Sequence, residues 1–321
     1  MSAPATPARP PVSLGSIQEA AQALTGVALR TPMVQVAGSS LYLKCEQLQP
    51  IGAFKIRGAY TAIARLEPAQ RARGVVTSSS GNHGQAIAWV ARRFGVRSVV
   101  VMPESAAATK VAGVRAYGGE VVFAGSTRSP EQQHRADRVA AEDGLSLIPP
   151  FEHPDVIAGQ GSCGLEILDQ VPTVATVLVP VGGGGLLAGI TTAITALRPG
   201  VEIIGVEPAG AAKLAAALAA GGPMVLASTA SLADGLLSGS IGALPWSLIR
   251  SHIRQAVAVT DDEIAAAVRY LFERQGLMVE PSGAVTVAAL LAGKVRVEGP
   301  TVAVLSGGNV DVELFRRLVS G

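Results

Sequence analysis

From Gly74 onward, short β-branched runs alternate with Ala-rich stretches, and this alternation restricts the fold more than any other feature. Valine and isoleucine are stiff at χ1 and suit a pleated surface, whereas alanine costs least in a helix. Strand and helix in regular alternation predict α/β architecture with largely parallel sheets, because parallel neighbours need a crossover between them. Strands are predicted at residues 75–78, 99–102, 120–123 and 146–148, with helices at 82–93, 109–117 and 130–142 between them. A second series follows: a helix at 155–168, a strand at 176–180, a turn at 182–185, a helix at 186–197 and a strand at 203–206. Residues 221–240 are rich in Gly and Ser and read as loop, and a last strand is predicted at 302–305. The helix predicted at 261–274 has Thr260 as its N-cap and Asp261, Asp262 and Glu263 in its first turn, where the helix dipole favours negative charge.

Composition narrows the function classes. With 49% hydrophobic and 16% charged residues, the 321-residue chain fills a core. Its 26 basic and 24 acidic side chains leave a net charge of +2, which gives no field to attract nucleic acid. No apolar run of the ~18 residues needed to span a bilayer is present. Residues 1–11 are rich in Ala and Pro and lack an apolar h-region, so they read as a flexible lead-in and not a signal peptide. Two cysteines, Cys45 (in an expected strand) and Cys163 (in an expected helix), make no disulfide framework; both read as buried, and a cytoplasmic setting is expected. His134, His153 and His252 are scattered without metal-ligand spacing, so no metal site is expected from them. Trp89 and Trp246 read as packing residues.

Four local features carry chemistry. Gly182, Gly183, Gly184 and Gly185 lie between a strand and a helix, where unobstructed backbone N–H groups aimed by a helix N-terminus bind phosphate. The run has neither the Lys-Ser/Thr ending of a P-loop nor the GxGxxG spacing of a dinucleotide site. Lys55 is one of only five lysines and lies in the apolar run Ala53-Phe54-Lys55-Ile56 at a helix start, a setting that favours a neutral amine and suits Schiff-base chemistry. Ser78-Ser79-Ser80-Gly81-Asn82-His83-Gly84-Gln85 opens a helix with hydroxyls, an amide and free N–H groups, a place to hold a carboxylate or phenolate oxygen. Ser306-Gly307-Gly308-Asn309 follows a strand and sets a hydroxyl at the carboxyl edge of a sheet, where α/β folds bind ligands. Each of these could also be an ordinary cap or turn.

Together, in this order, and with Val156-Ile157-Ala158-Gly159-Gln160-Gly161 and Leu232-Ala233-Asp234-Gly235 between them, they resemble the fold-type II pyridoxal-phosphate enzymes, most closely the threonine/serine dehydratases and serine racemases. The resemblance runs from Arg30-Thr31-Pro32 to Asn309. It implies a two-domain α/β fold like the tryptophan synthase β chain, each domain a mostly parallel twisted sheet flanked by helices. The larger domain would comprise residues 12–70 and 153–321 and the smaller 71–152, with pyridoxal 5'-phosphate between them. Lys55 would hold the cofactor through its amine and serve as the base, Phe54 would pack beside the ring, and Asn82 would bond the phenolic oxygen. Gly182, Gly183, Gly184 and Gly185 would cradle the phosphate, and Ser306 would face the pyridine nitrogen. Ser79, Ser80, Asn82 and His83 would grip the substrate carboxylate. The activity implied is elimination of the β-hydroxyl and amino group of L-threonine or L-serine by a homodimer. Alternatives are a serine racemase, a dehydratase of a bulkier β-hydroxy amino acid, and a non-catalytic cofactor-binding protein.

Two positions bear on the choice. Phe151 stands where racemases often have Asn and dehydratases commonly have Phe, while Ser80 occupies the position of the racemases' second acid/base. Racemase-like members hold a divalent cation with a Glu and an Asp six residues apart. Here Glu207 is followed at that spacing by Lys213, whose ammonium either pairs with Glu207 in the ion's stead or is simply solvated.

Overall fold

A computed structural model of the chain describes residues 12–126 and 130–320; the lead-in at 1–11 lies outside the described residues. The strands in chain order are β1 (Met33–Gln35), β2 (Leu41–Lys44), β3 (Val75–Ser78), β4 (Ser98–Met102), β5 (Glu120–Phe123), β6 (Ser146–Leu147), β7 (Thr176–Pro180), β8 (Glu202–Pro208), β9 (Ala256–Val259) and β10 (Thr301–Val304). They form two sheets. The larger has the order β1-β2-β10-β7-β8-β9, and the smaller β5-β4-β3-β6. All pairs are parallel except the β1–β2 edge, where Met33 pairs with Lys44.

Parallel strands covered on both faces read as continuous apolar runs. Accordingly all four residues of β10 are buried. On one face of the large sheet, Val177, Val179, Val302 and Val304 pack with helices Pro154–Gln170 and Gly185–Leu197. On the other, Leu178 and Ala303 pack with helices Asp261–Gln275 and Pro281–Leu291. Trp246 joins the first of these cores. Around the small sheet, Val75 packs with Ile87 and Val90 of helix Asn82–Phe94, and Val76 with Ala136 and Val139. The α/β class and the parallel sheets expected from the sequence are therefore present.

Register decides where the site forms. β10 lies between β2 and β7, with Val302 opposite both Tyr42 and Val177. The chain leaving β10 at Ser306 and the chain leaving β7 at Gly182 therefore emerge side by side at one carboxyl edge. In the small sheet β3 is flanked by β4 and β6, so Ser78–Gly81 emerges beside the Pro149–Phe151 segment that follows β6.

Some expectations shift. Cys45, expected within a strand, falls just past β2 as the N-cap of the 3-10 turn Glu46–Leu48. The 221–240 loop contains a short 3-10 turn, Asp234–Leu236. Thr260 caps its helix as expected, accepting from the Glu263 N–H while Glu263 accepts from Thr260 N–H.

Candidate active site

The two carboxyl edges face a cavity of about 520 Å³. Lys55, Phe54, Ser79, Ser80, Asn82, His83, Gly182, Gly183, Gly184, Gly185 and Ser306 all line it, so every site residue singled out in the sequence reaches one space. Four segments from across the chain are thereby brought together.

Lys55 is the first residue of helix Lys55–Ala64. Its position is tied to the end of β10. Ala53 forms a bridge with Gly307, the Phe54 N–H donates to the Ser306 carbonyl at 3.1 Å, and the Gly308 N–H donates to the Gly52 carbonyl at 2.9 Å. The approach is too close for side chains: a Cβ on Gly52 would run into Asn309, and one on Gly307 into Glu280. Lys55 Nζ donates to the Pro150 carbonyl at 2.9 Å and lies 5.1 Å from the centre of the Phe54 ring.

The same helix is anchored behind the cavity by a buried charge network. Arg57 binds Glu46 through Nε at 2.8 Å and Glu166 through an Nη at 2.7 Å, and Lys44 binds Glu166 at 2.6 Å. Burial alone would raise Glu46, but Arg57, Lys44 and the Thr31 hydroxyl outweigh it and hold the carboxyl below its usual range. Such networks tolerate no missing member, because one lost partner leaves a buried charge uncompensated. The sequence signalled this network only as scattered charges in apolar runs.

The glycine run forms the entry to helix Gly185–Leu197. Gly184, its N-cap, has φ +94° and no side-chain cap. The first N–H groups of a helix have no acceptor within it. Here they open on a cavity, without competition from a capping side chain. A Cβ at Gly183 would penetrate the Phe151 ring and one at Gly185 would lie 3.0 Å from Phe151 Cβ, so at these two positions glycine is what lets the backbone be reached. This is the arrangement a phosphate requires.

Ser306 is 4% exposed, and its hydroxyl meets the Ser282 carbonyl at 3.5 Å. Ser79 is already engaged: its Oγ accepts from the N–H groups of Gly81 at 3.3 Å and Gly84 at 3.0 Å. His83 Nε2 lies 3.0 Å from the Ile148 carbonyl, which can only accept, so that nitrogen carries the proton. Nδ1 is left as an acceptor, and it has no hydrogen-bond partner among the described residues. Burial first, then the Lys55 ammonium, depresses His83 to about 3 and keeps it neutral. In this tautomer the one N–H of the His83 ring is committed to the Ile148 carbonyl.

Residues 24–307 match the family model described as pyridoxal-phosphate dependent enzyme. The chain belongs to this family. Among family members, an L-threonine ammonia-lyase of Geobacter sulfurreducens is 44% identical over 94% of this chain and 77% of its own length. An L-threo-3-hydroxyaspartate ammonia-lyase of Saccharomyces cerevisiae is 39% identical over 88% of this chain and 87% of its own. The solved structure of maize serine racemase superposes with a TM-score of 0.91 at 37% identity, covering 95% of this chain and 96% of that one. The fold-type II architecture and the dependence on pyridoxal phosphate follow from this membership, and the uncapped glycine turn facing Lys55 fits that cofactor.

Two charged residues lining the cavity, Glu280 and Lys110, were not singled out in the sequence as site residues. Glu280, 2% exposed, accepts from Asn82 Nδ2 at 2.6 Å. Burial, and to a smaller extent Asp234, pushes its carboxyl up to about 7 against the pull of Lys110. Lys110, on helix Ala108–Ala116, pairs with Asp234 from the Asp234–Leu236 turn. Its side chain passes over Gly81, where an added Cβ would meet Lys110 Cδ at 3.2 Å. The usable signal for Glu280 was a carboxylate directly before Pro281 at a helix start. For Lys110 it was membership of a very short list of lysines.

Proposed function

We propose that the chain eliminates the β-hydroxyl and then the amino group of L-threonine or L-serine, yielding a 2-keto acid and ammonia. The observation that carries this reading is that Lys55 shares one cavity with an uncapped four-glycine helix start and a neutral hydroxyl, Ser306. The 44% identity to an L-threonine ammonia-lyase supports it.

Bound pyridoxal phosphate supplies an electron-withdrawing ring beside the substrate Cα. In this reading Lys55 holds the cofactor, Phe54 packs on it, Gly182, Gly183, Gly184 and Gly185 bind its phosphate, and Ser306 faces its ring nitrogen. Asn82 donates to its phenolic oxygen. Ser79, Ser80 and Asn82, with the adjoining backbone N–H groups, receive the substrate carboxylate, while neutral His83 shapes that end of the site. The Lys55 amine would take the Cα proton and hand it to the departing β-hydroxyl, which would leave as water. Ser306 does not hold a protonated ring as a carboxylate would, which favours prompt loss of the β-hydroxyl over return of the proton. The unsaturated amine then hydrolyses to the 2-keto acid and ammonia.

The presence of Ser80 in the same cavity favours a second, slower activity, racemisation of serine, with Ser80 returning a proton on the face opposite Lys55. The larger sheet with residues 12–70 and 153–321, and the smaller with 71–152, would form two domains closing on the cofactor, in a homodimer. Cys45 and Cys163 are both free and buried, which suits a reducing cytoplasm, and no helix of the described residues is long and apolar enough to cross a membrane.

The test is an absorption spectrum of the purified protein, with 2-keto acid release from L-threonine, L-serine and bulkier β-hydroxy amino acids, and a Lys55→Ala variant. A visible band lost in the variant, with keto acid from threonine or serine, is expected. A band with no keto acid from any substrate would refute the elimination reading, and D-serine formed from L-serine would then establish the racemase.

A further inference from the structure

Asn82 is held from both sides of its amide. Its Nδ2 donates to Glu280 Oε1 at 2.6 Å, and its Oδ1 accepts from Asn309 Nδ2 at 2.9 Å. Asn309 Nδ2 also donates to the Ile51 carbonyl at 2.8 Å, so both of its hydrogens are committed. One end of this relay is fixed by chemistry. The Ile51 carbonyl can only accept, which forces the Asn309 nitrogen towards it and towards Asn82. Asn82 must then present its oxygen to Asn309 and its nitrogen to Glu280. One Nδ2 hydrogen of Asn82 remains, and Asn82 lines the cavity.

We propose that Asn309 and Glu280 are positioning residues whose hydrogen bonds fix the amide of Asn82 with a donor, and not its oxygen, towards the cavity. This rests on the reading above that Asn82 binds the phenolic oxygen of the cofactor. An amide free to turn over presents donor and acceptor to that oxygen in turn, and its acceptor face repels an anion. Locking the amide keeps a donor on the oxygen, which stabilises the anionic form and lowers its pKa. The lock joins segments far apart in the chain: Ile51 just before the Lys55 helix, Asn82 after β3, Glu280 before helix Pro281–Leu291 and Asn309 after β10. Both carboxyl edges are thus fastened at the atom that would touch the ring. Neither residue has to touch substrate to do this.

Four variants of the holoenzyme test it, read by the pH midpoint of the visible cofactor band and by cofactor affinity in fluorescence titration. Asn82→Ala sets the scale, with the midpoint raised by about one unit or more. Asn309→Asp puts a carboxylate against the Asn82 oxygen, and Glu280→Met removes the acceptor; each is expected to raise the midpoint towards that of Asn82→Ala. Glu280→Gln removes the same carboxyl, which faces Lys110 and Asp234, but keeps an acceptor oxygen for Asn82 Nδ2, and its midpoint is expected to lie well below that of Glu280→Met. Should Asn309→Asp fail to fold, Glu280→Met set against Glu280→Gln decides alone. A midpoint that moves in Asn82→Ala but in neither Asn309→Asp nor Glu280→Met overturns the lock while leaving the role of Asn82 standing. A midpoint unmoved in Asn82→Ala overturns both.

Discussion

His83 contributes to acid sensitivity through its burial and, after that, its nearness to Lys55. Its folded pKa of about 3 lies below the ordinary value of 6.5 because desolvation, and then Lys55, disfavour the charged ring. Between those two values the unfolded chain binds a proton that the folded chain refuses, so stability is full above pH 6.5 and declines as pH falls towards 3. The slope from this residue is at most about 1.4 kcal/mol per pH unit. A His83→Gln variant cannot titrate, and its urea midpoint is expected to fall less steeply with acid over that window. An unchanged slope would show that His83 is charged in the folded protein. The same burial explains what the sequence withheld at this scale. Lys55, Ser306 and the four glycines are legible because their chemistry depends on residue type and neighbours. The tautomer of His83, the hydrogen-bond partner of Glu280 and the partner of Lys110 depend on atoms supplied by distant segments, here Ile148, Asn82 and Asp234.

At the scale of elements, the strands β3, β4, β5, β7, β8 and β10 were legible because each is a dense β-branched run bounded by turn residues. β1, three residues at the antiparallel edge, and β9, Ala256–Val259, with two alanines in four residues, carry too weak a pattern to be read. The start of helix Lys213–Ala220 was read only through its charges, and there the pairing of Lys213 with Glu207 is present. Lys213 Nζ donates to the Ala211 carbonyl at 2.8 Å and lies 3.6 Å from Glu207 Oε2, with both side chains fully buried. Glu207 also accepts from the Leu214 and Ala215 N–H groups at 2.8 Å, which anchors the helix start. Burial pushes the Glu207 carboxyl up, against the pull of Lys213 and these N–H groups. The ammonium thus supplies the positive charge at this corner. Activity is expected to be unchanged by a chelator and by added Mg²⁺; a several-fold rise with Mg²⁺ and collapse in chelator would refute the substitution. Lys213→Met strands a buried carboxylate and is expected to cost about 3–5 kcal/mol in urea unfolding, recovered in part by a second change, Glu207→Gln.

The glycine turn links element to site. Gly183→Ala forces a methyl group into the Phe151 ring, so either the ring or the turn must move. Overpacking of this kind costs about 1–3 kcal/mol. Because the displaced backbone is the proposed phosphate cradle, cofactor affinity is expected to fall more than stability does. Spectrophotometric titration with pyridoxal phosphate beside a thermal melt separates the two. A loss of melting temperature with affinity intact would place the phosphate elsewhere.

For the whole molecule, the cavity lies between two sheets, and the Lys110–Asp234 pair spans it from a helix flanking the small sheet to a turn beside the large one. Asp234 is 51% exposed in its side chain, so solvent screens the pair and its worth is bounded at about 1 kcal/mol. That is too little to decide folding, but it would bias the proposed closing of the two domains on the cofactor. If the pair favours closure over the bound amino acid, Lys110→Met and Asp234→Asn each raise KM for L-threonine by about two- to five-fold with kcat nearly constant. The double variant is then no worse than either single one, since one contact cannot be lost twice. High salt is expected to raise KM in the parent and leave it unchanged in the variants, because screening has nothing left to weaken. Additive effects in the double variant would instead mean that Lys110 and Asp234 act separately on the substrate, and the closure argument would fall.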